Sequence, residues 1–149
     1  MKILNNAGHK IFLVILFFMT LSGFSQMPIF KRYYIADIPG LGWLAQFYVT
    51  HMIHYIFAGL LIGFAAYMVL DSVFNKTGFK KISRTGYIKI WIIAGLMITG
   101  LVLVVKNLSG IYMGHSMIIF LDISHLFLCV LFLMVSLYSL IFKKPWQAD

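Results

Sequence analysis

Glutamate is missing altogether, and four aspartates are the only acids in 149 residues. Charged residues make up 11% of the chain against 62% hydrophobic ones, which excludes a water-soluble domain and points to a polytopic membrane protein. Cysteine is limited to Cys129. A lone thiol excludes a disulfide within the chain, an iron–sulfur cluster held by this chain alone, and haem attached through a CxxCH motif. There is no phosphate-binding loop, no nucleophile elbow and no convincing internal repeat.

What the chain does have is apolar length. Four segments, at about 8–26, 44–70, 87–106 and 115–142, reach the ~20 residues that a bilayer crossing demands. So little sequence is left over that the expected architecture is all-α: one membrane domain over 1–149, built as a transmembrane four-helix bundle. The formal charge of +8 does not indicate nucleic acid, because its distribution follows the membrane. With the N-terminus inside, Lys2, Lys10, Lys76, Lys80, Lys81, Arg84, Lys89, Lys143 and Lys144 fall on the cytoplasmic side, and only Lys31, Arg32 and Lys106 fall outside. That bias predicts cytoplasmic termini in a cell inner (cytoplasmic) membrane, with membrane lipid as the surrounding partner. Tyr33, Tyr34, Trp43, Tyr87 and Trp146 lie near the expected interfaces, where amphipathic rings settle. The first segment also fits a secretory signal, with SGFSQ as its small-residue end; retention as a span is the reading adopted. MPIFKRYYIADIPGLG reads as an ordered outer loop, and DSVFNKTGFKKISRTG as a basic cytoplasmic link.

Polar residues inside such spans are costly and mark function. On a helical wheel with His125 at zero, Asp122 lies at about +60°, Cys129 at +40°, Ser136 at +20°, Ser139 at −40° and His115 at +80°. All occupy one arc of the fourth span, which must face away from lipid. Around His54 in the second span, His51 lies at about +60°, Ala58 at +40° and Ala65 at +20°, small residues that leave room for a flat macrocycle. Gly59 and Gly63 form a GxxxG on the opposite face, expected to be a helix-packing contact. Both His54 and His125 sit ~15 Å below the outer ends of their helices, so they can meet across one iron as axial haem ligands. The bland alternative is a pair of polar core histidines bonded to neighbouring hydroxyls or backbone. One turn further out, His51 and Asp122 are also matched in depth. They are candidates for an ion pair, for support of an axial ligand, or for proton exchange with a quinol.

With AGHKIFLVILFFMTLSGF, HMIHYIFAGL, WIIAGLMITGLVL and ISHLFLCVLFL in its four spans, the chain resembles the cytochrome b subunits of formate dehydrogenase and nickel–iron hydrogenase. The resemblance covers roughly residues 5–142. It implies four or five helices, two b haems, and electron transfer between a partner subunit and the quinone pool. Matched by motif, His54 and His125 are the ligands of the haem nearer the outside, and His9 is one ligand of an inner haem. The family's second inner histidine is missing, since MVSLYSLIF supplies Ser136 and Ser139 where an imidazole would stand, and His115 lies at the opposite end. One haem b is therefore expected, with a second only if a partner chain completes His9. Otherwise His9 is an interfacial or quinone-site residue.

The resulting expectation is an electron-transfer subunit of an oxidoreductase rather than a complete enzyme. Its partners would be a quinone or quinol and an iron–sulfur or multihaem subunit on the outer side. Two other classes stay open at this point. One is a haem-free membrane anchor or assembly subunit. The other is a small proton or metal transporter using His51, Asp122 and His115, although broken helices or pseudo-symmetry would then be expected.

Overall fold

The structure, a computed structural model, describes residues 6–27, 29–74 and 82–144. It is all-helical, with no strand among the described residues, and four helices are long and apolar enough to cross a membrane. These are α1 (Asn6–Ser25), α3 (Phe47–Phe74), α4 (Arg84–Val105) and α5 (His115–Ile141); α2 (Ile29–Arg32) is a single turn. The chain divides into two compact units, Met1–Gly78 and Phe79–Asp149. In each, two long helices lie side by side.

In the first unit α1 and α3 run antiparallel, as the order of their contacts requires. Phe12 stacks on Phe64 with centroids 5.7 Å apart, and Phe18 stacks on Phe57 at 4.6 Å. Beyond them Ser22 meets His54, and Gln26 meets His51. Ile15 and Leu61 are buried between the stacked rings. In lipid no hydrophobic gain drives helices together, so close packing, ring stacking and interhelical hydrogen bonds must hold such a pair. The second unit does the same with smaller parts. Gly95 brings α4 so close to α5 that an added Cβ would stand 3.1 Å from Leu128. Ile92, Leu121 and Phe132 are buried around that approach.

Helix ends show where local chemistry set the boundaries. The second span was expected from residue 44, but α3 starts at Phe47 because Gly42–Ala45 form a separate 3₁₀ turn. The third span was expected from residue 87, but α4 starts three residues earlier. Ser83 caps it, its hydroxyl accepting from the Gly86 N–H at 3.0 Å. At the end of α5, Lys143 takes a left-handed φ of 48°, and the Lys144 N–H donates back to the Ser139 carbonyl at 2.9 Å. This six-residue closure is reinforced by the buried Ser139 hydroxyl, which donates to the Lys144 carbonyl at 2.7 Å.

The helix pairs are joined differently. Between α1 and α3 lie α2, a 3₁₀ turn at Ile35–Asp37, a left-handed Gly40 (φ 88°) and the 3₁₀ turn at Gly42–Ala45. Leu44 and Thr50 are buried beneath this connection. Between α4 and α5 the chain turns through residues 106–114, with Gly110 left-handed at φ 86°. Glycine takes that conformation without the steric penalty a Cβ brings. The GxxxG of α3 differs from expectation. A Cβ on Gly59 or Gly63 would meet nothing within 4 Å, because α1 covers the His54 side of α3 and leaves the glycine side open.

Candidate functional site

His54 projects from α3 against the end of α1, where the sequence reads Leu21–Ser22–Gly23. The Ser22 hydroxyl donates to the Phe18 carbonyl at 2.5 Å and lies 3.1 Å from His54 Nδ1. A hydroxyl has one proton, and with that proton on Phe18 its oxygen can only accept from the imidazole. In the Nδ1–H tautomer His54 donates to this oxygen and carries its lone pair on Nε2. Ser22 is fully buried, so the bond is made in dry surroundings. Gly23 completes the seat: a Cβ there would come within 3.2 Å of His54 Cε1.

The second unit repeats this arrangement. The Thr99 hydroxyl of α4 donates to the Gly95 carbonyl at 2.8 Å, and His125 Nδ1 of α5 lies 2.8 Å from the same oxygen. The same proton count suits an Nδ1–H tautomer of His125, which donates from Nδ1 and carries its lone pair on Nε2. Gly100 follows Thr99, and a Cβ added to it would sit 3.4 Å from His125 Cε1.

The correspondence extends along both helices. Ile15, Ser22 and Gly23 of α1 match Ile92, Thr99 and Gly100 of α4, each 77 positions later. His54 and Leu61 of α3 match His125 and Phe132 of α5, each 71 positions later. Ile15, Ile92, Leu61 and Phe132 are all buried. The contact between Phe18 and Phe57 becomes the contact between Gly95 and Leu128, at the same two offsets. The two units are thus an internal repeat.

One turn nearer the connections each unit carries a second polar pair, and here the units diverge. His51 Nδ1 lies 3.1 Å from Gln26 Oε1, an acceptor, with the His51 ring between Phe47 (5.2 Å) and Tyr55 (4.3 Å). The position equivalent to His51 in the second unit is Asp122, whose carboxylate accepts from Lys106 Nζ at 3.4 Å. Each of these two residues therefore has a partner within its own unit. The Asp122 side chain is 54% exposed.

The remaining candidates lie apart from these layers. His115 is exposed as the first residue of α5, and His9 is exposed in the early part of α1. The α4 residue equivalent to His9 is Gly86, so the repeat supplies no matching imidazole. Cys129 is half-buried, one turn beyond His125. Among the described residues no group of three or more His, Cys, Asp or Glu side chains is placed to hold a metal ion. Reading the sequence missed Ser22, Gly23, Thr99, Gly100, Gln26 and the part played by Lys106. The usable signal was the pair of dipeptides, Ser–Gly and Thr–Gly, each near the end of a span that precedes a histidine-bearing one. Comparison with protein-family models, with curated proteins and with solved structures finds no match for this chain.

Proposed function

We propose that this protein is a membrane-embedded b-type cytochrome subunit. In this reading His54 and His125 ligate one haem b, and electrons pass between the quinone pool and a partner redox subunit. The observation that carries it is the shared setting of the two histidines. Each Nδ1 lies within hydrogen-bond distance of a hydroxyl that also donates to its own preceding helical turn, an arrangement that suits an Nδ1–H imidazole with Nε2 as the electron-pair donor. Metal-ligating imidazoles are held in this way, with the far ring nitrogen hydrogen-bonded to an oxygen. The glycines beside both rings and the apolar lengths of all four helices suit a flat, apolar macrocycle.

The haem supplies a reversible one-electron centre. The chain's residues do the rest. Ser22 and Thr99 fix ring tautomer and orientation, and the surrounding aliphatic and aromatic side chains keep water from the imidazoles. His51, held at Nδ1 by Gln26, keeps a lone pair on Nε2 that can take a proton from a quinol hydroxyl. Orientation follows the charge bias, with both termini cytoplasmic and the segments 26–46 and 106–114 outside. An iron–sulfur or multihaem partner docks on that outer side. His54 lies seven residues and His125 ten residues inside the outer ends of their helices, so a shared centre would sit ~10–15 Å below one surface of the ~30 Å hydrocarbon core, and quinone and partner would exchange electrons in the same half of the membrane.

The test is the visible spectrum of the purified protein. A sharp b-type band on reduction, with one haem per chain, is expected. A colourless protein that binds no added haemin would overturn the reading and return it to a haem-free anchor or to a transporter, a class for which an internal repeat is also expected.

A further inference from the structure

The repeat allows its two units to be compared position by position, and most positions have changed between them. Stacked phenylalanines in one unit correspond to a glycine and a leucine in the other. The neutral pair His51–Gln26 corresponds in depth to the ion pair Asp122–Lys106. The layer that stays the same is a hydroxyl followed by glycine on the first helix, set against an imidazole on the second. Packing alone does not demand a hydroxyl there. An alanine would leave helix geometry intact, and a serine or threonine that bonds its own preceding turn is mildly unfavourable to a helix.

We infer that Ser22 and Thr99 are positioning residues that set the iron(III)/iron(II) balance through the Nδ1–H groups of His54 and His125. This rests on the cytochrome reading above. The argument is electrostatic. An imidazole that donates its N–H to an oxygen acceptor becomes a more basic ligand at its other nitrogen. A more basic ligand favours the more highly charged iron(III). Ser22 is sealed from solvent, so no water replaces its oxygen when the hydroxyl is removed. Each unit's oxygen acts on the imidazole of its own unit, and the two contributions have the same sign.

The experiment is a redox titration of the purified full-length protein, followed at its reduced band, for wild type, Ser22→Ala, Thr99→Val, Ser22→Thr and Thr99→Ser. Loss of either hydroxyl should raise the midpoint potential. The expected change in the iron(II)/iron(III) ratio at fixed potential is about three- to tenfold, or about 30–60 mV at 59 mV per tenfold for one electron. The two exchanges that keep a hydroxyl should stay close to wild type. ¹⁵N NMR of histidine-labelled protein gives a second readout that needs no haem: wild type should show three Nδ1–H imidazoles, those of His51, His54 and His125, and each hydroxyl deletion should disturb one of the last two. If the alanine and valine variants titrate like wild type, or if the hydroxyl-keeping variants shift as far, the inference fails while the cytochrome reading stands. If wild type shows no b-type band, the cytochrome reading fails, and the NMR result then reports on the hydrogen bonds alone.

Discussion

The first helix pair is built from rings and the second from small and aliphatic residues. Phe12, Phe18, Phe57 and Phe64 hold α1 to α3, whereas α4 meets α5 through the notch at Gly95 filled by Leu128. Despite this, each pair bonds one imidazole through Nδ1 to a hydroxyl oxygen and rests it against a glycine. The two halves therefore separate two kinds of constraint. Holding membrane helices together is a loose requirement that bulky or small residues satisfy equally well. Holding an imidazole in one tautomer is a tight one, because few side chains of the right length accept a hydrogen bond there.

Substitutions can break this equivalence or sharpen it. The largest effect should come from the imidazoles themselves. With the proposed haem bound, His54→Ala and His125→Ala should each lower haem per chain by about tenfold or more, and to the same extent, since either change would remove one of the two proposed ligands. A deficit confined to one variant would show that the halves are not equivalent. Next come the glycines. Gly23→Ala places a methyl 3.2 Å from the His54 ring and should lower haem content several-fold, as read by the reduced band. Gly100→Ala, at 3.4 Å from His125, should do so more weakly.

The ring contacts should matter less. A double-mutant cycle on Phe18 and Phe57 should give a coupling of about 1 kcal/mol in thermal stability, with the spectrum unchanged. Smallest of all should be the effect of the Lys106–Asp122 pair, which is a single contact at 3.4 Å. Asp122→Asn should leave stability and haem content near wild type. A fall in quinol turnover in that variant, with the spectrum intact, would move Asp122 from a surface pair to the proton path. His51→Phe should reduce quinol turnover more than Asp122→Asn does, because only the first unit keeps an imidazole at that level.

The four apolar helices were legible because length and hydrophobicity decide them, and boundaries erred only where a cap or a 3₁₀ turn intervened, as at Ser83 and Gly42–Ala45. His54 and His125 stood out because an imidazole in hydrocarbon is rare. Their partners did not, since serine and threonine next to glycine are ordinary residues in a membrane helix. The repeat escaped notice for two reasons. The first helices match at an offset of 77 and the second at 71, so no single register aligns both. Within the aligned helices few identities survive, chiefly Ile15 with Ile92, Gly23 with Gly100, and His54 with His125. The GxxxG at Gly59 and Gly63 takes no part in the contact between α1 and α3, because α1 approaches α3 from the other side.

The unequal connections have a consequence of their own. The first carries a folded cap whose Tyr33, Tyr34 and Ile38 stand 67%, 75% and 52% exposed beside Lys31 and Arg32, while the second is a short turn. A molecule with matching halves would offer a visiting protein two interchangeable landing places and hence two ways to settle. Six extra residues between Ser22 and His54, relative to Thr99 and His125, abolish that ambiguity. For the partner proposed above, that difference would single out one landing place.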